Sequence, residues 1–228
     1  MKIFAFPHAG GDSYCFRDFQ KKFNTNEVET LALPGRGKRF SDKRLESIDA
    51  MAEEAIKQFR LPWPSEYSFF GHSMGALVAY RTVIKLREKQ LPEPQFLFFS
   101  GRKGACLNNG KGTRHQLPSK EFREELDRLG GCPKEVLENK ELMELFEPML
   151  RADFKAVETY QYLPTPPIKQ PIVLFHGIDD HFSKEEILAW QQETTQPIEY
   201  HEFSGGHFFI QKEWDAIARI IKSKLNML

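Results

Sequence analysis

The chain has 228 residues, 40% hydrophobic and 28% charged, which suits one globular domain with a core that needs neither disulfides nor metals. Lys plus Arg and Asp plus Glu both total 32, so the basic excess of a nucleic-acid binder is missing and nothing points to a membrane surface. The three cysteines, Cys15, Cys106 and Cys132, are odd in number and widely spaced, which excludes a disulfide framework or a zinc pattern and predicts a reducing, cytoplasmic setting.

The N-terminal run Ile3–Phe6 reads as a buried strand that ends in a turn; it is too short for a signal peptide. Val28–Leu33 is a second strand, closed by Pro34-Gly35; Tyr67–Phe70 is a third and Phe96–Ser100 a fourth. Met74–Glu88 carries Leu77, Val78, Val83 and Ile84 and predicts a largely buried helix. Ile172–Phe175 is a fifth strand, and Ile198–Phe203, with alternating apolar positions, a sixth. Ser183-Lys184-Glu185-Glu186 is a capping-box pattern that opens a helix. Trp214, Ile217, Ile220, Ile221 and Leu225 fall on one face of a terminal helix. Continuously apolar strands alternating with helices predict an α/β fold with a doubly wound, mostly parallel sheet.

The stretch between the fourth and fifth strands is far longer than an ordinary connection. Arg102–Gln116 is Gly- and Asn-rich and reads as a mobile loop, followed by helical patterns over Ser119–Leu129, Pro133–Asn139 and Glu141–Tyr162. We expect residues 102–165 to form a helical lid, inserted in a core made of residues 1–101 and 166–228, the whole being a single domain. Phe122, Leu126, Leu145, Phe146 and Leu150 are its expected apolar lining.

Gly71-His72-Ser73-Met74-Gly75 matches G-x-S-x-G. The pentapeptide gains meaning from its setting between an apolar strand and a buried helix, the setting of a nucleophile elbow. The turn lifts the Ser73 hydroxyl above the strand ends, beside a helix N-terminus that favours developing negative charge. A serine needs a base, and His207, after Ser204-Gly205-Gly206, is the candidate; a surface histidine is the plain alternative. The base needs an acid, and Asp180 or Asp179 at the end of the fifth strand can serve, Asp180 being favoured because it lies further past the strand. The order Ser, Asp, His is that of the α/β-hydrolase fold.

An oxyanion hole needs two backbone donors. Met74 N–H is one; the loop Pro7-His8-Ala9-Gly10-Gly11 supplies the other, with Ala9 preferred and His8 read as a structural loop residue, with contact to the substrate as the alternative. His176, Asp179, Asp180 and His181 crowd one strand end without a convergent metal pattern, so no metal is expected. The cysteines read as packing residues, and Gly10-Gly11 lacks the lysine and spacing of a phosphate loop. Arg36, Lys38, Arg39, Lys43 and Arg44 follow the second strand and read as a solvated loop, with attraction of an acidic partner or phosphate as the alternative.

Taken together, these motifs resemble the stand-alone type II thioesterases of non-ribosomal peptide and polyketide synthesis. Phe6-Pro7-His8-Ala9-Gly10-Gly11, Leu33-Pro34-Gly35-Arg36-Gly37, the elbow, Leu129-Gly130-Gly131, Leu150-Arg151-Ala152-Asp153 and Gly205-Gly206-His207 match that family's motifs in order. The histidine at position 8 and the missing short N-terminal extension depart from its pattern. The resemblance implies hydrolysis of acyl thioesters carried on the phosphopantetheine arm of an acyl or peptidyl carrier protein. It implies the triad Ser73, Asp180 and His207 with Ala9 and Met74 as oxyanion donors. The phosphopantetheine belongs to the carrier protein, so no cofactor of the chain's own is expected, and a monomer is the default expectation. A carboxylester hydrolase acting on small free esters and a non-catalytic interaction module are the competing readings.

Overall fold

The computed structural model describes residues 1–59, 66–107 and 112–226. Among these, six strands form one sheet: β1 Lys2–Phe6, β2 Val28–Thr30, β3 Tyr67–His72, β4 Leu97–Ser100, β5 Ile172–Gly177 and β6 Glu199–Phe203. Their order is β2-β1-β3-β4-β5-β6 and every pairing is parallel. The helices are α1 Arg17–Gln20, α2 Ile48–Gln58, α3 Met74–Glu88, α4 Ser119–Leu129, α5 Lys134–Glu138, α6 Lys140–Thr159, α7 Lys184–Leu188 and α8 Ile210–Lys224.

Side chains alternate across each strand, and both faces are covered. Phe4, Phe6, Phe69, Leu97, Phe99 and Leu174 pack on one face with residues of α2 and α3 and with Trp190. Ile3, Ala5, Phe70, Phe98, Val173 and Phe175 pack on the other with Phe16, Phe19 and the Trp214–Ile217–Ile221 face of α8. Double coverage explains why β3, β4 and β5 are buried at every residue and mostly apolar, the exceptions being Ser68, His72, Ser100 and His176. The edge strand β6 is only half-buried, in keeping with its alternating sequence. The α7 capping box forms as its sequence predicts. No helix of the described residues is long and apolar enough to cross a membrane.

Residues between β4 and β5 build a separate apolar cluster from α4, α5 and α6, including Phe122, Leu126, Met143, Leu150 and Phe154. Three expectations change here. Asn139 does not belong to α5: its side chain accepts the Leu142 N–H at 3.1 Å and caps α6. α6 stops at Thr159, because Tyr160 is extended. Leu145 is 43% exposed rather than part of the lining, since the inward stripe runs through Met143, Phe146, Met149 and Leu150. Nor is the Arg102–Gln116 segment wholly irregular. It carries short 3-10 turns at Ala105–Leu107 and Arg114–Gln116. The Arg102 carbonyl accepts from Trp190 Nε1 at 2.8 Å, and Cys106 N–H donates to Glu193 at 3.1 Å. Residues 108–111 of that loop lie outside the described residues.

The chain leaves β1 toward β2 on one side and resumes at β3 on the other. The strand order therefore reverses between β1 and β3, the place where open α/β sheets bind ligands beyond the strand C-termini. The loop after β1 and the turn after β3 meet there.

Candidate active site

Ser73 stands between β3 and α3 with φ 56° and ψ −116°, a conformation that non-glycine residues rarely adopt. The surroundings hold it there: Ser73 N–H donates to the Ser100 carbonyl at 2.8 Å, and the Ser73 carbonyl accepts from Ala76 N–H at 3.1 Å. A Cβ on Gly75 would lie 1.9 Å from the Phe6 carbonyl oxygen, and one on Gly71 would lie 2.6 Å from Ala76 backbone. Both glycines of the pentapeptide are thus demanded by backbone-to-backbone approach.

His207, brought over by the loop after β6, places Nε2 2.9 Å from Ser73 Oγ. Its Nδ1 lies 2.9 and 3.1 Å from the two carboxylate oxygens of Asp180. A carboxylate can only accept, so Nδ1 carries the proton and Nε2 is left free to take one from Ser73. Asp180 rather than Asp179 meets the histidine; the Asp180 side chain is fully buried, while Asp179 is exposed and its N–H donates to the Gly205 carbonyl at 3.0 Å.

Asp180 also accepts from His181, through its backbone N–H and through Nδ1, each at 2.7 Å. Burial pushes the Asp180 carboxyl up, but the hydrogen bonds and charges of His181 and His207 outweigh it, and the group is held well below the usual carboxylate range. Among the described residues the ligand atoms of Asp180, His181 and His207 lie within 4.8 Å of one another, close enough for a metal trio. Both histidine Nδ1 atoms, however, are already engaged with Asp180. His176, the other histidine at this strand end, is turned away, with Nδ1 2.7 Å from the Tyr200 hydroxyl and Nε2 3.0 Å from the Phe182 carbonyl.

Two further histidines flank the relay. His72 is fully buried, its ring centroid 5.2 Å from that of His207, with Nδ1 3.1 Å from Ser100 Oγ. Burial keeps its pKa well below the ordinary value. His8 packs edge-on against Phe208 at 5.0 Å, and its Nδ1 is buried with no hydrogen-bond partner among the described residues. Burial, then the nearby His207 and Arg36, push it down to about 4, so the ring is neutral at neutral pH.

Ser73 and His207 open onto a chamber of about 240 Å³, lined by Ala9, Met74, Leu126, Phe146, Met149 and Leu150 among others. Arg102 and Arg114 also line it. Burial, followed by the charge of Arg114, pushes Arg102 down to about 10, which leaves it cationic at neutral pH. The chamber is therefore less uniformly apolar than the sequence suggests. Ala9 and Met74 line the chamber together with Ser73, whereas the Gly10 N–H is spent on Asp153 at 2.7 Å.

A family model described as the thioesterase domain matches residues 1–225. The thioesterase PikA5 of Streptomyces venezuelae is 34% identical over 229 residues, covering 99% of this chain and 81% of that protein. The chain belongs to the thioesterase family. Solved structures agree with this assignment. The type II thioesterase BorB from the borrelidin biosynthetic cluster superposes with a TM-score of 0.87 at 32% identity, covering 97% of this thioesterase and 91% of BorB. ClbQ from the colibactin NRPS/PKS pathway superposes with a TM-score of 0.91 at 28% identity, covering 99% and 97%.

The sequence reading of this thioesterase missed one polar group of consequence. Arg36 was expected in a solvated basic loop, yet it is 4% exposed and pairs with Asp153, which is fully buried. Arg39 is likewise spent on Asp42 and Glu54. The signal available was that Arg36 and Asp153 each sit in a motif shared with the family, although neither belongs to the catalytic set.

Proposed function

We propose that this thioesterase hydrolyses acyl groups from the phosphopantetheine thiol of acyl or peptidyl carrier proteins, editing or releasing chains during non-ribosomal peptide or polyketide assembly. The observation that carries the reading is the unbroken relay from Asp180 through His207 to Ser73, 2.9 Å at each step, at the mouth of the chamber. The biosynthetic settings named for BorB and ClbQ support the substrate class.

In this reading His207 Nε2 takes the Ser73 proton as Oγ attacks the thioester carbonyl. Ala9 and Met74 N–H groups hold the oxyanion. The tetrahedral adduct collapses, the C–S bond breaks, and the thiolate leaves with the proton from His207. Water then attacks the acyl-serine carbonyl, giving its proton to His207; the second tetrahedral adduct collapses as the bond to Oγ breaks, His207 returns the proton to Oγ, the acid is released, and Ser73 and neutral His207 are regenerated. Asp180, ionised across this cycle, fixes the imidazole tautomer and stabilises its charged form. The pantetheine arm belongs to the carrier, so the chemistry asks for no cofactor or metal from this chain. α4, α5 and α6 act as a lid, and the enzyme works in the cytoplasm as a monomer.

Mass spectrometry of carrier proteins loaded with different acyl groups tests the proposal. The expected result is loss of the acyl mass with the wild type and none with Ser73→Ala. Preferential cleavage of p-nitrophenyl esters over acyl-carrier protein would replace it with the free-ester reading, and a wild type that cleaves neither substrate any faster than Ser73→Ala would leave only an interaction module.

A further inference from the structure

The loop that carries Ala9 is gripped by a buried ion pair that the triad does not explain. Gly10 N–H donates to Asp153 Oδ2 at 2.7 Å. Asp153, on α6, also receives a two-pronged contact from Arg36, Nη1 to Oδ2 and Nη2 to Oδ1, both at 2.7 Å. Arg36 Nη1 further reaches the Gly11 carbonyl at 3.2 Å. The dipeptide Gly10-Gly11 is thus held at both ends, its N–H by the acid and its carbonyl by the base. Leu150, one turn before Asp153, presses on the same spot: a Cβ on Gly10 would come 2.5 Å from Leu150 Cδ2.

Local geometry aims Arg36 inward. It is extended, and it is flanked by Gly35 at φ +83° and Gly37 at φ +50°, backbone that side-chain-bearing residues rarely take. A Cβ on Gly35 would also lie 2.4 Å from Arg44 Cγ.

Stability alone is a poor reason for this arrangement. A buried ion pair often contributes no more than apolar residues of the same volume, because desolvation offsets the attraction. Arg36 Nε is moreover buried with no hydrogen-bond partner among the described residues, a further cost. What apolar residues cannot supply is a charged acceptor for the Gly10 N–H, and hence a fixed orientation of the adjoining Ala9 peptide. Oxyanion donors lose their effect when displaced by a fraction of a hydrogen-bond length.

We propose that Asp153, clamped by Arg36, is the positioning residue of the oxyanion loop, holding the Ala9 donor in place from α6. The proposal rests on the assignment of Ser73 as nucleophile and Ala9 as donor.

The test replaces the pair by apolar residues of similar size, Arg36→Met with Asp153→Leu, which leaves no unpaired charge behind. Folding is read by a thermal melt, Ser73 reactivity by its rate of labelling with a fluorophosphonate, and turnover with an acyl-pantetheine thioester. We expect a cooperative melt, a kcat lower by about 10- to 100-fold and a KM within about twofold of wild type. Affinity for a trifluoromethyl ketone, which forms the tetrahedral adduct, should fall with kcat; affinity for a non-cleavable thioether should not. A folded double variant with kcat and labelling within about threefold of wild type overturns the proposal. Should the double variant fail to fold, the near-isosteric Asp153→Asn, which keeps an acceptor but loses the charge, is judged by the same criteria. If the wild type labels rapidly yet leaves every acyl-carrier protein intact, the substrate reading fails, while the labelling rates still decide the positioning role.

Discussion

The sheet and the insertion above it hold their side chains in place by different means. Around the sheet, aromatic packing does the work: Phe16, Phe19, Phe70 and Trp214 contact one another on one face, and Phe99, Tyr80 and Trp190 on the other. Within the insertion, buried carboxylates tie segments together. Glu158 accepts from Arg114 Nε at 2.7 Å, from His115 N–H at 3.0 Å and from His115 Nδ1 at 2.8 Å. Glu147 accepts from Ser119 at 2.7 Å and from Arg151 at 2.9 and 2.7 Å. Close packing gives the rigid frame that chemistry needs. Polar ties are directional and lose their benefit when one partner is removed. Changes at the strand ends should therefore act on rate with little effect on stability, and loss of the insertion's own ties at Glu147 and Glu158 should do the reverse; Asp153, which grips the loop after β1, belongs with the first group.

The largest effect expected on the first side comes from Asp180→Asn. The amide cannot favour the Nδ1–H tautomer of His207, and kcat should drop roughly 10³- to 10⁴-fold. Asp179→Asn, one residue away and exposed, should stay within about twofold, since neither partner of the relay changes. Steady-state kinetics on one acyl thioester compares the two. Equal losses would mean that the acid is not chosen by the geometry described, and the contrast between strand-end and insertion residues would lose its catalytic half.

Glu158→Ala probes the other side. It strips Arg114 and His115 of their shared acceptor in a site where Glu158 is 4% exposed. Breaking a buried pair from one side costs on the order of 3 kcal/mol, which for a domain of this size lowers Tm by roughly 5–12 °C. Hydrogen exchange should rise in residues 112–118 and stay slow in β3 and β4. Uniform loss of protection across the sheet would show that the insertion and the core are a single cooperative unit, contrary to the comparison.

A smaller effect should appear in selectivity. The chamber of about 240 Å³ is smaller than most ligand pockets, which run from about 300 Å³ upward. Met149→Trp narrows it further. Selectivity for an acetyl over an octanoyl thioester should rise about 10- to 100-fold in kcat/KM, since each methylene denied burial is worth about 1 kcal/mol. An unchanged ratio would place the acyl chain elsewhere.

The same division decides what can be read from the chain alone. The strands are legible because burial on both faces leaves apolar runs such as Leu97–Phe99 and Ile172–Phe175. Ser73 is legible because backbone crowding forces glycine at positions 71 and 75. The choice between Asp179 and Asp180 is not, since adjacent residues in a turn differ only in direction and a hydrogen bond settles it. The pairing of Arg36 with Asp153 joins positions 117 residues apart, and no periodicity links them. A run of cations reads as a solvated face until the fold turns one of them inward. Leu145 was misplaced for a simpler reason: α6 is apolar over more than one stripe, and composition does not say which stripe faces the chamber.

The smallest effect concerns His8, which lies where the two regions meet, and its sign can be worked out. The ring is pushed down to about 4 by burial, then by His207 and Arg36, with the buried His72 ring 5.8 Å away. An unfolded chain takes up a proton near pH 6.5 that the folded chain refuses until about 4. Stability must therefore fall as pH drops below 6.5, because the unfolded state binds more protons there. His72, shifted in the same direction, adds a parallel loss. The depressed carboxylates contribute only at lower pH: a group such as Asp180 retains its full stabilising effect above its unfolded value of 3.8 and loses it as the pH falls toward its folded value. Between pH 6.5 and 5 the slope thus isolates the histidines. His8→Phe keeps the ring packing and removes one titrating group, so its urea-unfolding free energy should decline less steeply than that of wild type over this window. It should also be the more stable protein at pH 5, as the buried, unpartnered His8 Nδ1 is removed. A slope identical to that of wild type would mean that His8 takes up its proton in the folded state, and that the boundary between loop and insertion is wetter than its packing implies.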